Sequence, residues 1–137
     1  MTEPTDKPLD DGLDLLRRQV RGPVEHVESF AAPPGVGVVR FTTDEVTSLC
    51  PVTGQPDFSG VDIEYGPNER CIESKSLKLY LWKFRDRAVF AEALAAEIAH
   101  EVNDRVAPRW VRVTVRQRPR GGIALEAVSE LGSRPPS

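Results

Sequence analysis

A chain of 137 residues is of a size that buries one core. Its formal charge of -3 excludes binding to nucleic acid through an overall positive field, and no direct nucleic-acid partner is expected. No apolar run approaches the roughly 20 residues that span a bilayer, so no membrane partner is expected either.

The N-terminus, MTEPTDKPLDD, is acidic and polar, unlike a secretory signal or a mitochondrial presequence. Residues 1–25 read as a polar, partly ordered segment, 26–130 as a single domain and 131–137 as a flexible, proline-bearing tail. Residues 36–41 read as a strand that ends near Cys50. Val61, Ile63 and Tyr65 alternate with Asp62 and Glu64 at the period of a half-buried strand, closed by the turn residues Gly66, Pro67 and Asn68. A helix begins at Lys75 and runs to Trp82. A second helix is predicted from Asp86 to Val106, where Phe90, Leu94, Ile98, Val102 and Val106 form an i, i+4 stripe that Pro108 stops. Trp110 to Val115 alternates again, Pro119 to Gly122 makes a turn, and Ile123 to Val128 is its return strand. The order is β-β-α-α-β-β, an α+β fold with an antiparallel sheet and helices on one face. Its open sheet edges point to a homo-oligomer.

Three groups of residues carry chemical interest. Cys50 ends an apolar run, and Pro51, Gly54 and Pro56 stiffen the stretch that brings Asp57 seven residues later. A thiol attacks as thiolate, and a neighbouring carboxyl can take its proton and return it to a substrate nitrogen. On spacing alone the structural explanation, a small core cysteine with Asp57 capping a turn, stands ahead of the catalytic one. The second group is Glu73-Ser74-Lys75-Ser76-Leu77-Lys78, basic and hydroxyl-bearing at a helix start, where phosphates are held by charge and free N–H groups. Arg120 and the close-approach turn Gly121-Gly122 add to it, although a solvated basic face explains the charge equally well. The third is Glu92, about 200° around the helix from Leu94 and so turned from the core. Cys50, Cys71, His26 and His100 match neither a zinc spacing nor a disulfide framework, so no metal is expected and a reducing cytoplasm is the simpler location.

Taken together, TSLCPVTGQPDF (47–58), ESKSLKLYLWKFRD (73–86) and PRGGI (119–123) resemble the NADPH-dependent 7-cyano-7-deazaguanine reductases of queuosine biosynthesis, in their short single-module form. The resemblance implies the tunnelling fold, in which subunits pair strands into a barrel, commonly as pentamers or decamers. It implies a nitrile substrate on a deazaguanine, reduced to the amine by two NADPH. Cys50 would form a covalent thioimide and Asp57 would act as the acid/base. Ile72, Glu73, Ser74, Ala91 and Glu92 would border the substrate, and Ser74, Lys75, Lys78, Arg120 and Gly121 the cofactor. Where the family has His-Glu on the second helix, this chain has Ala91-Glu92, and His100 lies about 180° around from Ala91. Two alternatives follow: a thioimide-forming amidinotransferase acting on deazaguanine-modified tRNA, and a deazaguanine-binding protein that does not reduce its ligand.

Overall fold

The structure, a computed structural model, describes residues 20–133. The expectation for the N-terminal segment therefore lies outside the described residues up to position 19. Strand β1 (Ser29–Ala31) is followed by the long β2 (Val39–Leu49) and β3 (Pro56–Gly66), and then by the short β4 (Arg70–Ile72). Helix α1 (Ser74–Trp82), a 3-10 turn (Lys83–Asp86) and helix α2 (Ala91–Val106) precede the hairpin of β5 (Trp110–Arg120) and β6 (Ile123–Gly132). The four long strands form an antiparallel sheet in the order β2-β3-β5-β6, and β1 pairs with β4 in a separate two-stranded sheet. The α+β order read from the sequence is present, with β1 and β4 added to it.

Alternation explains the core. Val61, Ile63 and Tyr65 of β3 sit opposite Val115, Val113 and Val111 of β5, so one sheet face is continuously apolar. Leu94, Ala95, Ile98, Ala99, Val102 and Val106 of α2 cover that face. Burying each larger aliphatic side chain there contributes about 1.5–3 kcal/mol. The small alanines let the helix sit close to the sheet. Ala107, in the left-handed region at φ 48°, ends α2 immediately before Pro108.

The opposite face is polar. Arg40, Glu64, Arg112 and Glu130 stand in register across all four strands and alternate in sign. Arg40 pairs with Glu64 at 3.1 Å and Arg112 with Glu130 at 2.9 Å. Arg116 donates two hydrogen bonds to Asp62, at 2.8 and 3.1 Å, and holds that carboxyl below its ordinary range.

Four boundaries differ from the sequence reading. β2 starts at Val39, and Val36 and Val38 are exposed before it. α2 starts at Ala91 instead of Asp86, because residues 87–90 give their backbone to β2: Leu49 N–H donates to Arg87 C=O at 2.8 Å, and Val89 N–H donates to Leu49 C=O at 3.1 Å. Phe90 is consequently 56% exposed and takes no part in the helix stripe. β6 continues to Gly132, two residues into the stretch read as a tail, while 134–137 lie outside the described residues. At the other end, Val24 N–H donates to Leu79 C=O at 3.2 Å and ties part of the supposed N-terminal segment to α1.

Candidate active site

β2 and β3 are joined by the loop 50–55, and its geometry follows from two hydrogen bonds. Cys50 N–H donates to Gln55 C=O, and Gly54 N–H donates to Cys50 C=O, both at 2.8 Å. Gly54 takes φ +74°, a conformation that a side chain at this position would strain. Ser48 pairs with Asp57 and Leu49 with Pro56, so Cys50 and Gln55 continue the same ladder by one step. With a two-residue period, Cys50 and Asp57 fall on one sheet face as diagonal neighbours. That face also carries Ser59, Val61, Ile63 and Tyr65, and Asp57 is only 5% exposed on it. Asp57 is thus a strand residue occupying a core-face position, and the turn-capping explanation is set aside.

The thiol is surrounded by donors. The side chain and N–H of Thr53, then the Arg120 guanidinium and the Val52 N–H, lower the Cys50 pKa to about 6. At neutral pH most of the sulfur is thiolate, the form that attacks an electrophile. Arg120 reaches this loop from the β5–β6 hairpin: one guanidinium nitrogen is 3.2 Å from Asp57 Oδ1, and another donates to Gln55 Oε1 at 3.0 Å. Gly121 and Gly122, at φ 61° and 81°, make the turn that follows it. A guanidinium thus pairs with the carboxylate and helps to lower the pKa of the thiol.

Sequence reading placed Arg120 with the lysines of α1. In the structure its side chain reaches Gln55 of the Cys50 loop and Asp57. Thr53 and Gln55 were missed as well. Their signal was available, since a hydroxyl and an amide lie in the same tight loop as the thiol, and a carboxylate occupies a position where the alternation of β3 calls for an apolar side chain.

The other residues expected at the site divide into two groups. Ala91 is the first residue of α2 and is buried, while Glu92 beside it is exposed. Both come close in sequence to the Leu49–Ala88 bridge, which joins the segment before this helix to the end of β2, next to Cys50. Arg87 in that segment turns to Glu97, donating at 2.6 and 3.0 Å. The second group is on α1. Ser74 and Lys78 line a cavity of about 550 Å³ along β2, with Phe41, Thr43, Val46 and Trp82, and Cys50 is not among its lining residues. Ile72 is buried in β4, its N–H donating to the Tyr65 hydroxyl at 2.8 Å.

Glu73 caps α1: its carboxylate accepts from Lys75 N–H at 2.9 Å and from Ser76 N–H at 2.8 Å. This corrects the expectation that free N–H groups at this helix start hold phosphate, since two of them are already used. Ser74, Lys75 and Lys78 remain as side chains suited to a phosphate-bearing cofactor. Neither histidine fills the place of Ala91. His100 bonds the Ala96 carbonyl at 2.8 Å, and His26 pairs with Glu101 at 3.1 Å, roughly 15 Å along α2 from its start.

A family model described as QueF-like protein matches residues 56–135, which include Asp57, the Glu73–Lys78 stretch and the Arg120 turn. The chain belongs to the QueF-like family. It is 41% identical to the NADPH-dependent 7-cyano-7-deazaguanine reductase of Methylocella silvestris, over 93% of this chain and 88% of that one. With the protein of the same name from Sinorhizobium medicae it shares 46% identity, over 90% of this QueF-like chain and 84% of the relative. Among solved structures, the archaeosine synthase QueF-Like in its apo form superposes with a TM-score of 0.68 at 30% identity, covering 76% of this chain and 99% of that one.

Proposed function

We propose that this chain reduces the nitrile of 7-cyano-7-deazaguanine to the 7-aminomethyl group through a covalent thioimide on Cys50, as a step of tRNA queuosine biosynthesis. The observation that carries this reading is the lowered thiol of Cys50 beside a buried Asp57, in a chain 41% identical to a named reductase of that nitrile. The Cys50 thiolate adds to the nitrile carbon, one C–N π bond breaks, and the nitrogen takes up a proton that Asp57 relays from water. Two hydrides and further protons then complete the change from nitrile to amine, and the C–S bond breaks to return the thiolate. NADPH supplies the hydrides when bound, and Ser74, Lys75 and Lys78 are the side chains suited to hold it. Glu92 offers an exposed carboxylate for paired N–H donors of a guanine-like edge. With Ala91 in place of a histidine, protons for the later steps come from Asp57 and from water.

Mass spectrometry of protein incubated with the nitrile tests this directly. An adduct on Cys50 that forms with nitrile alone and disappears on adding NADPH is the expected result; no adduct on folded protein removes the reading. An adduct that persists with NADPH favours the binding protein that does not reduce its ligand. Asp57→Asn should slow adduct growth by about 10²–10⁴-fold, the usual contribution of a positioned acid, while the base still binds. An unchanged rate would take Asp57 out of its role.

The likeness to an archaeosine synthase favours a second reading, amidine formation on a deazaguanine in tRNA. Adduct discharge by ammonia instead of NADPH would select it. Against it stand the Lys75 and Lys78 side chains assigned to the cofactor, and a net charge of -3 that gives no general attraction for tRNA.

The proposed working form is an oligomer of strand-paired subunits in a cytoplasmic enzyme, with pentamers or decamers as the implied size. β2 and β6 are the two edges of the main sheet, and the charged row across it ends in Arg40 on β2 and Glu130 on β6. Antiparallel pairing of β6 with β2 of the next copy continues the alternation of sign. Sedimentation is expected to show a defined ring-sized species, and a stable monomer would count against it.

A further inference from the structure

The Arg120 side chain is half exposed and sits next to a two-glycine turn, the setting of a solvated surface cation. Its contacts are nevertheless directed at the Cys50 loop and the strand after it: the Asp57 carboxylate at 3.2 Å and the Gln55 amide oxygen at 3.0 Å. From there it also acts on the Cys50 thiol, whose pKa it helps to lower. Gln55 is itself fixed, because its C=O accepts from Cys50 N–H and its N–H donates to Thr53 Oγ1 at 3.2 Å. A break in the β5–β6 register between Gln117 and Arg120 falls just where the strand reaches over this loop.

We propose that Arg120 is a positioning residue of the nucleophile: its guanidinium stabilises the Cys50 thiolate and fixes Asp57 and Gln55 around it, within the same subunit. This role differs from the cofactor contact that the family resemblance implies, and it deepens the proposed reaction by naming what prepares its first step. The physical case is charge balance. A thiolate and a carboxylate that are diagonal neighbours repel, and a planar cation bonded to the carboxylate and acting on the thiolate removes that penalty while fixing the carboxylate's orientation. The groups facing the sulfur are Thr53, the Val52 N–H, Arg120 and, through Arg120, Asp57. Arg87, on the segment that packs against Leu49, is turned to Glu97 and supplies no substitute.

The test is the pH dependence of Cys50 alkylation by iodoacetamide, read on the intact protein by mass spectrometry with neither nitrile nor NADPH present. Wild type should reach half its maximal rate near pH 6. Arg120→Gln should move that midpoint upward by about 1 unit or more, the usual effect of removing an adjacent opposite charge. Arg120→Lys should recover part of the shift, because it restores charge without the fork. Gln55→Ala, which removes the anchor of the guanidinium, should shift the midpoint less and in the same direction. A merely structural role changes the unfolding temperature without moving the midpoint of folded protein. Superimposable profiles for wild type and folded Arg120→Gln would overturn the proposal, as would a Lys variant indistinguishable from Gln. Alkylation requires no substrate, so this result stands or falls apart from the adduct experiment that tests the reaction itself.

Discussion

Cys50→Ala is expected to abolish formation of the nitrile adduct and to lower nitrile-dependent NADPH oxidation by about 10³-fold or more, with the fold retained. The side chain lost is small, and the loop that carries it is held by backbone: Cys50 N–H to Gln55 C=O, and Gly54 N–H to Cys50 C=O. Alanine preserves both bonds and the strand pairing on either side. What disappears is the one atom that can bond covalently to the nitrile carbon. Cys50→Ser makes the point sharper, because a hydroxyl in the same donor shell keeps the shape but gives far less anion at neutral pH. The measurements are adduct mass, NADPH absorbance and a thermal melt. Residual turnover of the alanine variant at a substantial fraction of wild type would mean that the covalent route is wrong.

Phe84→Ala should have the largest effect on stability, a loss of about 3–5 kcal/mol. Phe84 is fully buried in the 3-10 turn between the helices and meets Tyr80 edge to face, with ring centroids 5.5 Å apart. Lys83 and Arg87 each bring a cation to within 5.3 Å of its ring centre. Truncation leaves a cavity beneath residues 87–90, the segment whose backbone bonds Leu49 next to the nucleophile. Denaturant unfolding should show the loss, with a fall in melting temperature on the order of 10 °C. Adduct formation should also slow in the variant that remains folded, because the Cys50 loop loses support from that side. A change below about 1 kcal/mol would show that the turn repacks around the gap.

Local pattern made much of this molecule legible. Two-residue alternation marks β3 through Val61, Ile63 and Tyr65, and β5 through Val111, Val113 and Val115, since each strand has one covered face. The body of α2 was equally plain. Its start was not, because Phe90 stands four residues before Leu94 and fits the helical stripe, while the bonds that keep 87–90 extended come from Leu49, far away in sequence. The resemblance places Glu73 at the substrate; that it also caps α1, its carboxylate taking two N–H groups, went unread because glutamate is not a favoured capping residue. The proximity of Arg120 to Cys50 depends on how the last hairpin docks, and no local periodicity encodes that. Three separated motifs nevertheless revealed the family, since each retains its residues whatever the packing between them.

The proposed nucleophile Cys50 and its proposed acid Asp57 share one hairpin, seven residues apart, whereas the Gln55–Arg120 bond spans 65 positions. The first pair needs only a short loop to close, while the second forms only when nearly half the chain has been threaded into place. A chain with a detached C-terminal hairpin therefore keeps its thiol but loses the cation over it. Alkylation rate at mildly acid pH becomes a gauge of docking for that hairpin, in a protein that carries its own probe. Fraying of the final strands, too slight to move a global melting curve, would register first as a less reactive cysteine.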